Sequence, residues 1–183
     1  GAARLGSERV IAMAERYGTD NLEAAFDSII ENCTRTIREE LLPKIADGVY
    51  HWEDYIECDG VEAPKLHALP MTKTADKIVL DFAGTDPEAK GPINWPIDYS
   101  DGKFFRKWAG PVLRSLAETP ERAAEIDMNE GVLDIIEVNF PGKGTLVTPT
   151  FGKPTGLRFF ILLRSLGGFA DHHVARCLRR RRV

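Results

Sequence analysis

The sequence predicts an α+β fold, with helices flanking a mostly antiparallel sheet. Three observations predict it. An apolar stripe at helical spacing runs from Leu22 to Leu41. Two short strand-like runs, residues 65–72 and 77–82, are joined around Thr74-Ala75-Asp76. A helical period returns at Phe104, Trp108, Val112 and Leu116, after a stretch rich in Gly and Pro.

The elements follow in order. Residues 9–17 place Val10, Ile11, Ala14 and Tyr17 on one helical face, and Gly18 stops the helix. Asp20 opens the next helix, with Glu23 three residues on as in a capping box. Its stripe is Leu22, Phe26, Ile29, Ile30, Cys33, Ile37 and Leu41, and Pro43 ends it. Asp47-Gly48 is a turn; residues 49–58 are rich in β-branched and aromatic side chains and read as one strand; Asp59-Gly60 turns again. The two runs around Thr74 form a hairpin. Residues 83–101 read as a structured loop, because Ile93, Trp95 and Ile97 alternate within it. A helix at 104–116 is kinked by Pro111, residues 120–125 add a helical turn, and residues 132–140 read as a strand. Residues 157–166 are apolar enough for a buried helix or strand.

Composition bounds the function. The chain has 183 residues, 43% hydrophobic and 28% charged, which suits one domain with its own core. A formal charge of −4 does not favour nucleic acid, and no apolar run is long enough for a membrane-spanning helix. Three widely spaced cysteines, Cys33, Cys58 and Cys177, argue against a disulfide framework and for a cytoplasmic setting. The opening Gly1-Ala2-Ala3-Arg4, with the first methionine at Met13, reads as the inside of a longer chain. The stretch from Arg176 to Val183 carries five of the 24 basic residues. It reads as a solvated end, as an anion-contacting patch or as the product of a shifted reading frame.

No phosphate-binding loop of the GxxxxGK[ST] type is present. Gly142-Lys143-Gly144-Thr145 lacks that spacing and reads as a turn. His51 and His67 are isolated, and the adjacent His172 and His173 diverge on any regular element, so no metal-ligand set is assigned. The chemically densest segment is Asp81-Phe82-Ala83-Gly84-Thr85-Asp86-Pro87, followed by Gly91-Pro92-Ile93-Asn94. A strand delivers Asp81 into a rigid loop presenting Thr85, Asp86 and Asn94. Such a loop builds a site, or else its polar side chains cap their own turn.

These blocks resemble the hydantoinase B/oxoprolinase family. The likeness runs from about residue 4 to about residue 168. It includes Tyr17-Gly18, Asp47-Gly48-Val49-Tyr50, Asp59-Gly60, the two blocks just described, Asn129-Glu130-Gly131, Pro141-Gly142-Lys143-Gly144-Thr145-Leu146 and Arg158. Within the family, Asn94-Trp95-Pro96, Asp101-Gly102-Lys103-Phe104 and Lys107-Trp108 look most like the acetone carboxylase alpha subunit, as does Leu116-Ala117-Glu118-Thr119-Pro120-Glu121-Arg122.

The resemblance implies a piece of a larger subunit in an ATP-dependent, multi-subunit cytoplasmic enzyme. That enzyme would join acetone and bicarbonate to give acetoacetate. The whole complex would use ATP and manganese, neither bound by this piece alone. Its partners would be a hydantoinase A-like nucleotide-handling subunit and a small third subunit, with no nucleic acid or membrane involved. Asp81, Thr85, Asp86 and Asn94 would shape the site, and Arg158 would hold a substrate anion. The alternatives are a cyclic-amide hydrolase subunit of the N-methylhydantoinase or 5-oxoprolinase type, or a non-catalytic docking fragment using the 20–41 helix. The expected division is a family-like part, residues 1–168, and an atypical basic tail, residues 169–183.

Overall fold

The computed structural model describes residues 1–62 and 64–180, with side chains as far as Asp171. The expectations for His172, His173, Cys177 and the arginine run concern side chains outside those described.

Helix α1 (Ala2–Tyr17) starts earlier than its apolar face suggests, and α2 spans Thr19–Thr36. The chain between them turns at Gly18, with φ 85°. α2 continues without a break through a π-helical turn, Ile37–Leu41, and a 3₁₀ turn, Leu42–Lys44. The wider π turn shifts the helical register, so Ile37, Leu41 and Leu42 are all fully buried. The predicted stripe is therefore divided. Cys33 and the stripe residues beyond it enter the core, whereas Phe26 and Ile29 are exposed and α1 buries no residue at all.

The strand expected over residues 49–58 is two strands, β1 (Gly48–Tyr50) and β2 (Glu53–Ile56). Likewise the run 65–72 divides into β3 (Lys65–Ala68) and β4 (Met71–Lys73). The two breaks lie side by side, with Leu69 N–H donating to the Trp52 carbonyl at 3.0 Å. Pro70 offers no N–H to continue the ladder. One long antiparallel ribbon thus bends from a two-stranded sheet, β2–β3, into a four-stranded one. The four-stranded sheet has the order β1-β4-β5-β6, with β5 at Ile78–Asp81 and β6 at Ile136–Asn139. The β4–β5 hairpin forms as expected, whereas β5 and β6 pair in parallel, Asp81 opposite Asn139.

Between β5 and β6 lie the Gly/Pro loop, α3 (Lys103–Arg114) and α4 (Pro120–Glu125), capped by Thr119 Oγ1 accepting from Arg122 N–H. A 3₁₀ turn, Glu130–Asp134, takes the start of the expected 132–140 strand. Asn129 caps it by accepting from Gly131 N–H at 2.9 Å. Helix α5 (Phe159–Arg180) settles the 157–166 ambiguity as helix and runs across residue 168, with Phe169 fully buried. The core is continuous from α2 through the sheet to α3 and α5, around Phe82, Phe105, Leu80 and Ile136.

Candidate functional site

The loop from Asp81 to Asn94 is built by hydrogen bonds between its own short polar side chains and the backbone. Asp81 sits at the end of β5, and its Oδ1 accepts from Ala83 N–H at 2.7 Å. Buried Thr85 lies against β3, its Oγ1 donating to the Ala68 carbonyl at 3.2 Å. Asp86 Oδ2 accepts from Leu66 N–H at 2.7 Å, and Asp86 N–H donates back to the Leu66 carbonyl. Asn94 is fully buried. Its Oδ1 accepts from Ala89 N–H at 2.8 Å, and its Nδ2 donates to the carbonyls of Ala89, Gly91 and Pro154.

The four predicted residues are thus placed on one loop, but among the described residues no hydrogen bond joins their side chains to one another. Thr85 and Asp86 tie the loop to β3. Asn94 ties it to the segment before α5. Asp81 and Asp86 are half-buried, and each keeps one carboxylate oxygen outside these bonds.

Asp59 completes the loop, and its sequence marks it only as half of a turn. Its Oδ1 accepts from Val61 and Glu62 N–H, and its Oδ2 from Gly91 N–H at 2.7 Å. The donors on Glu62 and Gly91, then Val61, hold its carboxyl below the usual carboxylate range, although near-complete burial pushes the other way. Gly91 passes so close that a Cβ there would overlap the Asp59 backbone. Only glycine allows this contact.

Directly after Asn94 the chain forms the wall of a pocket of about 480 Å³. Trp95, Pro96, Ile97, Tyr99 and Phe104 line one side; Arg158, Phe159 and Leu162, at the start of α5, line the other. Two contacts fix the width: Leu157 N–H donates to the Pro92 carbonyl at 2.8 Å, and Asn94 reaches Pro154. The turn before α3 holds Ser100 and Asp101 at positive φ, 50° and 56°. That conformation is strained for residues with a Cβ, and it leaves Tyr99 80% exposed at the pocket mouth. The Arg158 guanidinium lies 5.2 Å above the centre of the Phe159 ring, and its Nη1 donates to the Thr155 carbonyl at 3.2 Å. The structure therefore brings Asn94 and Arg158 to the two ends of one short stitched segment. Asp81, Thr85 and Asp86 stand on the β3 side of the same loop.

A second buried polar centre lies where β3 meets α5. His67 Nε2 is 2.8 Å from Ser165 Oγ, which itself donates to the Ile161 carbonyl, so the imidazole is the donor in the pair. His67 packs between Phe82 and the edge of Trp52, each ring centre 5.6 Å away. Burial pulls its pKa down to about 4, against the opposing charge of Asp54. Its Nδ1 has no partner among the described residues.

The Gly142-Lys143-Gly144-Thr145 turn is occupied structurally, by the Lys143–Asp98 ion pair and by Thr148 Oγ1 donating to the Gly142 carbonyl. Among the described residues no group of His, Cys, Asp and Glu is arranged to hold a metal ion. The described residues therefore offer no ligand set for the manganese expected of the complete complex. No described helix is long and apolar enough to cross a membrane.

Comparison with known proteins adds three findings. The hydantoinase B/oxoprolinase family model matches residues 1–167. A protein of Pseudomonas sp. (strain NS671), described as the B-type component of a D-/L-hydantoinase, is 29% identical over 188 aligned residues, covering 95% of this chain. The crystal structure of an ATP-dependent caprolactamase from Pseudomonas jessenii superposes with a TM-score of 0.72 at 21% identity, over 96% of this chain. The chain spans 31% of the first protein and 28% of the second.

Proposed function

The chain belongs to the hydantoinase B/oxoprolinase family, and on that premise we propose that it is part of one subunit of an ATP-dependent, multi-subunit enzyme acting on a small carbonyl compound. One observation carries the reading. The residues behind the acetone carboxylase likeness, Trp95, Pro96 and Phe104, line the same pocket as Arg158. On this reading the enzyme carboxylates acetone with bicarbonate to acetoacetate. A hydantoinase A-like subunit handles the nucleotide, a small third subunit completes the assembly, and the setting is cytoplasmic.

In this chain Arg158 would hold the anionic group and the aromatic wall would exclude water. Asp81 and Asp86 would offer their remaining carboxylate oxygens. Thr85 and Asn94 would fix the loop that carries them. ATP and manganese belong to the complete complex in this proposal. Residues 1–168 form its family-like part, and residues 169–183 an atypical continuation.

The second reading is an ATP-dependent cyclic-amide hydrolase. The descriptions of the hydantoinase relative and of the superposed caprolactamase favour it. The docking reading draws support from α1 and the first half of α2, where Leu5, Val10, Ile11, Phe26 and Ile29 remain exposed.

The complete complex tests these readings. Asp81→Ala and Asp86→Ala are each expected to lower ATP-dependent turnover by roughly tenfold or more while the subunits stay assembled on gel filtration. Unchanged turnover in both variants would remove the two aspartates from the site. Turnover of a hydantoin or lactam, with none of acetone and bicarbonate, would move the assignment to the hydrolase.

A further inference from the structure

We propose that the pocket between the loop and the first turn of α5 binds an organic monocarboxylate, its carboxylate on Arg158 and its apolar body on the aromatic wall. The inference deepens the reading of Arg158 given above and rests on it. It adds the chemical class of the ligand and makes the wall, not only the arginine, part of the site.

The argument begins with what Arg158 lacks. Arg106 pairs with Asp101, Arg122 with Glu40 and Glu125, and Arg164 with Asp54, whereas Arg35, Arg38 and Arg114 have no acid partner among the described residues but line no part of this pocket. Among the described residues no carboxylate pairs with Arg158. Its contacts are one backbone carbonyl and the face of Phe159. The acids on the nearby segment, Asp98 and Asp101, are already paired with Lys143 and Arg106. With one Nη1 bond to the Thr155 carbonyl and the Phe159 ring beneath it, the guanidinium keeps donors of its fork unused, and a carboxylate can accept from such donors bidentately. The first turn of α5 lines the same space, and the positive end of a helix favours an anion there.

The remainder of the pocket is apolar. Trp95, Ile97 and Leu162 are buried in its floor, and Tyr99, Phe104 and Phe159 stand exposed around its mouth. A volume of about 480 Å³ lies in the range of small-molecule sites. A bare inorganic anion would leave that wall uncovered, and a neutral apolar compound would leave the cation unmatched. An acid with an apolar body satisfies both. The class also agrees with either proposed reaction, since carboxylation and amide opening each end in a carboxylate.

Titration of the full chain, followed by tryptophan fluorescence through Trp95, tests the pocket. The probes are hexanoate, 4-phenylbutyrate, the primary amides of both, and inorganic phosphate. The expected result is saturable binding of the acids, about tenfold or more tighter than the amides, with phosphate failing to compete. Arg158→Gln should bring the acids to the level of the amides. In the unmodified protein, hexanoate should slow phenylglyoxal modification at Arg158, a readout that needs no variant. Equal binding of acid and amide, preference for phosphate, acid binding unchanged by Arg158→Gln, or no protection of Arg158 would each overturn the proposal. Acid binding without ATP-dependent turnover in the complete complex would instead sink the proposed function and leave this site standing.

Discussion

Two neighbouring stretches meet at the Asn94–Trp95 peptide and solve opposite problems. On one side, in the loop from Asp81 to Asn94 and its clamp Asp59, the polar side chains are paired with backbone groups. Asp59 takes three backbone donors, and Asn94 bonds four backbone groups across two segments. On the other side, from Trp95 to Leu162, aromatic area is left uncovered and a guanidinium is left without an acid. The difference teaches that a dense polar motif can report the fidelity of a buried turn. Capacity for a ligand lies beside it, where the protein has not met its own demands.

Breaking the closed side should have the largest effect. Asn94→Ala strands the buried Ala89 N–H and the buried carbonyls of Ala89 and Gly91, and it cuts the tie to Pro154. It is expected to cost roughly 3–5 kcal/mol of unfolding free energy, read by urea denaturation. A loss below about 1 kcal/mol would show the loop to be held by other contacts.

His67 should give the next largest effect, and it is pH-dependent. Its folded pKa, about 4, lies below the ordinary value of 6.5 because burial disfavours the imidazolium. The unfolded chain therefore takes up the proton first. This contribution is complete above about pH 6.5 and disappears as the pH falls toward 4, by up to about 3 kcal/mol. His67→Phe should flatten the stability curve across that window. An unchanged slope would assign the acid sensitivity to carboxylates instead.

On the open side the expected stability effect is smallest. Arg158→Gln should shift unfolding by less than about 0.5 kcal/mol, since Arg158 is exposed and makes no ion pair among the described residues. A large loss there would erase the distinction between the two stretches.

Local signals made most elements legible. The Thr74 hairpin, the helix after the Gly/Pro loop and the helical turn at 120–125 depend on neighbours in sequence, and all appear. What escaped depends on distant partners. Nothing in the β-rich run 49–58 marks the break at His51-Trp52, because that break is set by Leu69 and Pro70 across the ribbon. Val132 and Leu133 left the expected strand because Asn129 caps a 3₁₀ turn whose Gly131 crosses close to the Ile30 carbonyl.

The candidate site was legible as a rigid loop. Its clamp was not, since Asp59 and Gly91 are far apart in sequence. The pocket wall was missed for another reason. Phe159 sits in a segment apolar enough to be read as core, yet it is exposed at the pocket, as are its neighbours Phe160 and Leu163 outside it. An arginine immediately before two phenylalanines was the available clue.

The parallel pairing of β5 with β6 bears on the order of folding events. Antiparallel hairpins zip from their turns, whereas two parallel neighbours must wait for the chain between them to return. Everything from Phe82 to Ile135, including the clamped loop, the pocket wall and α3, lies inside that return. Closing so large a loop costs entropy before any bond across it forms, and long-range pairing of this kind slows folding. Docking of the edge strand β6 is thus expected late, after the crossover has collapsed. Damage to the Asp59–Gly91 clamp should register first as a slower refolding rate, with the β4–β5 hairpin already in place.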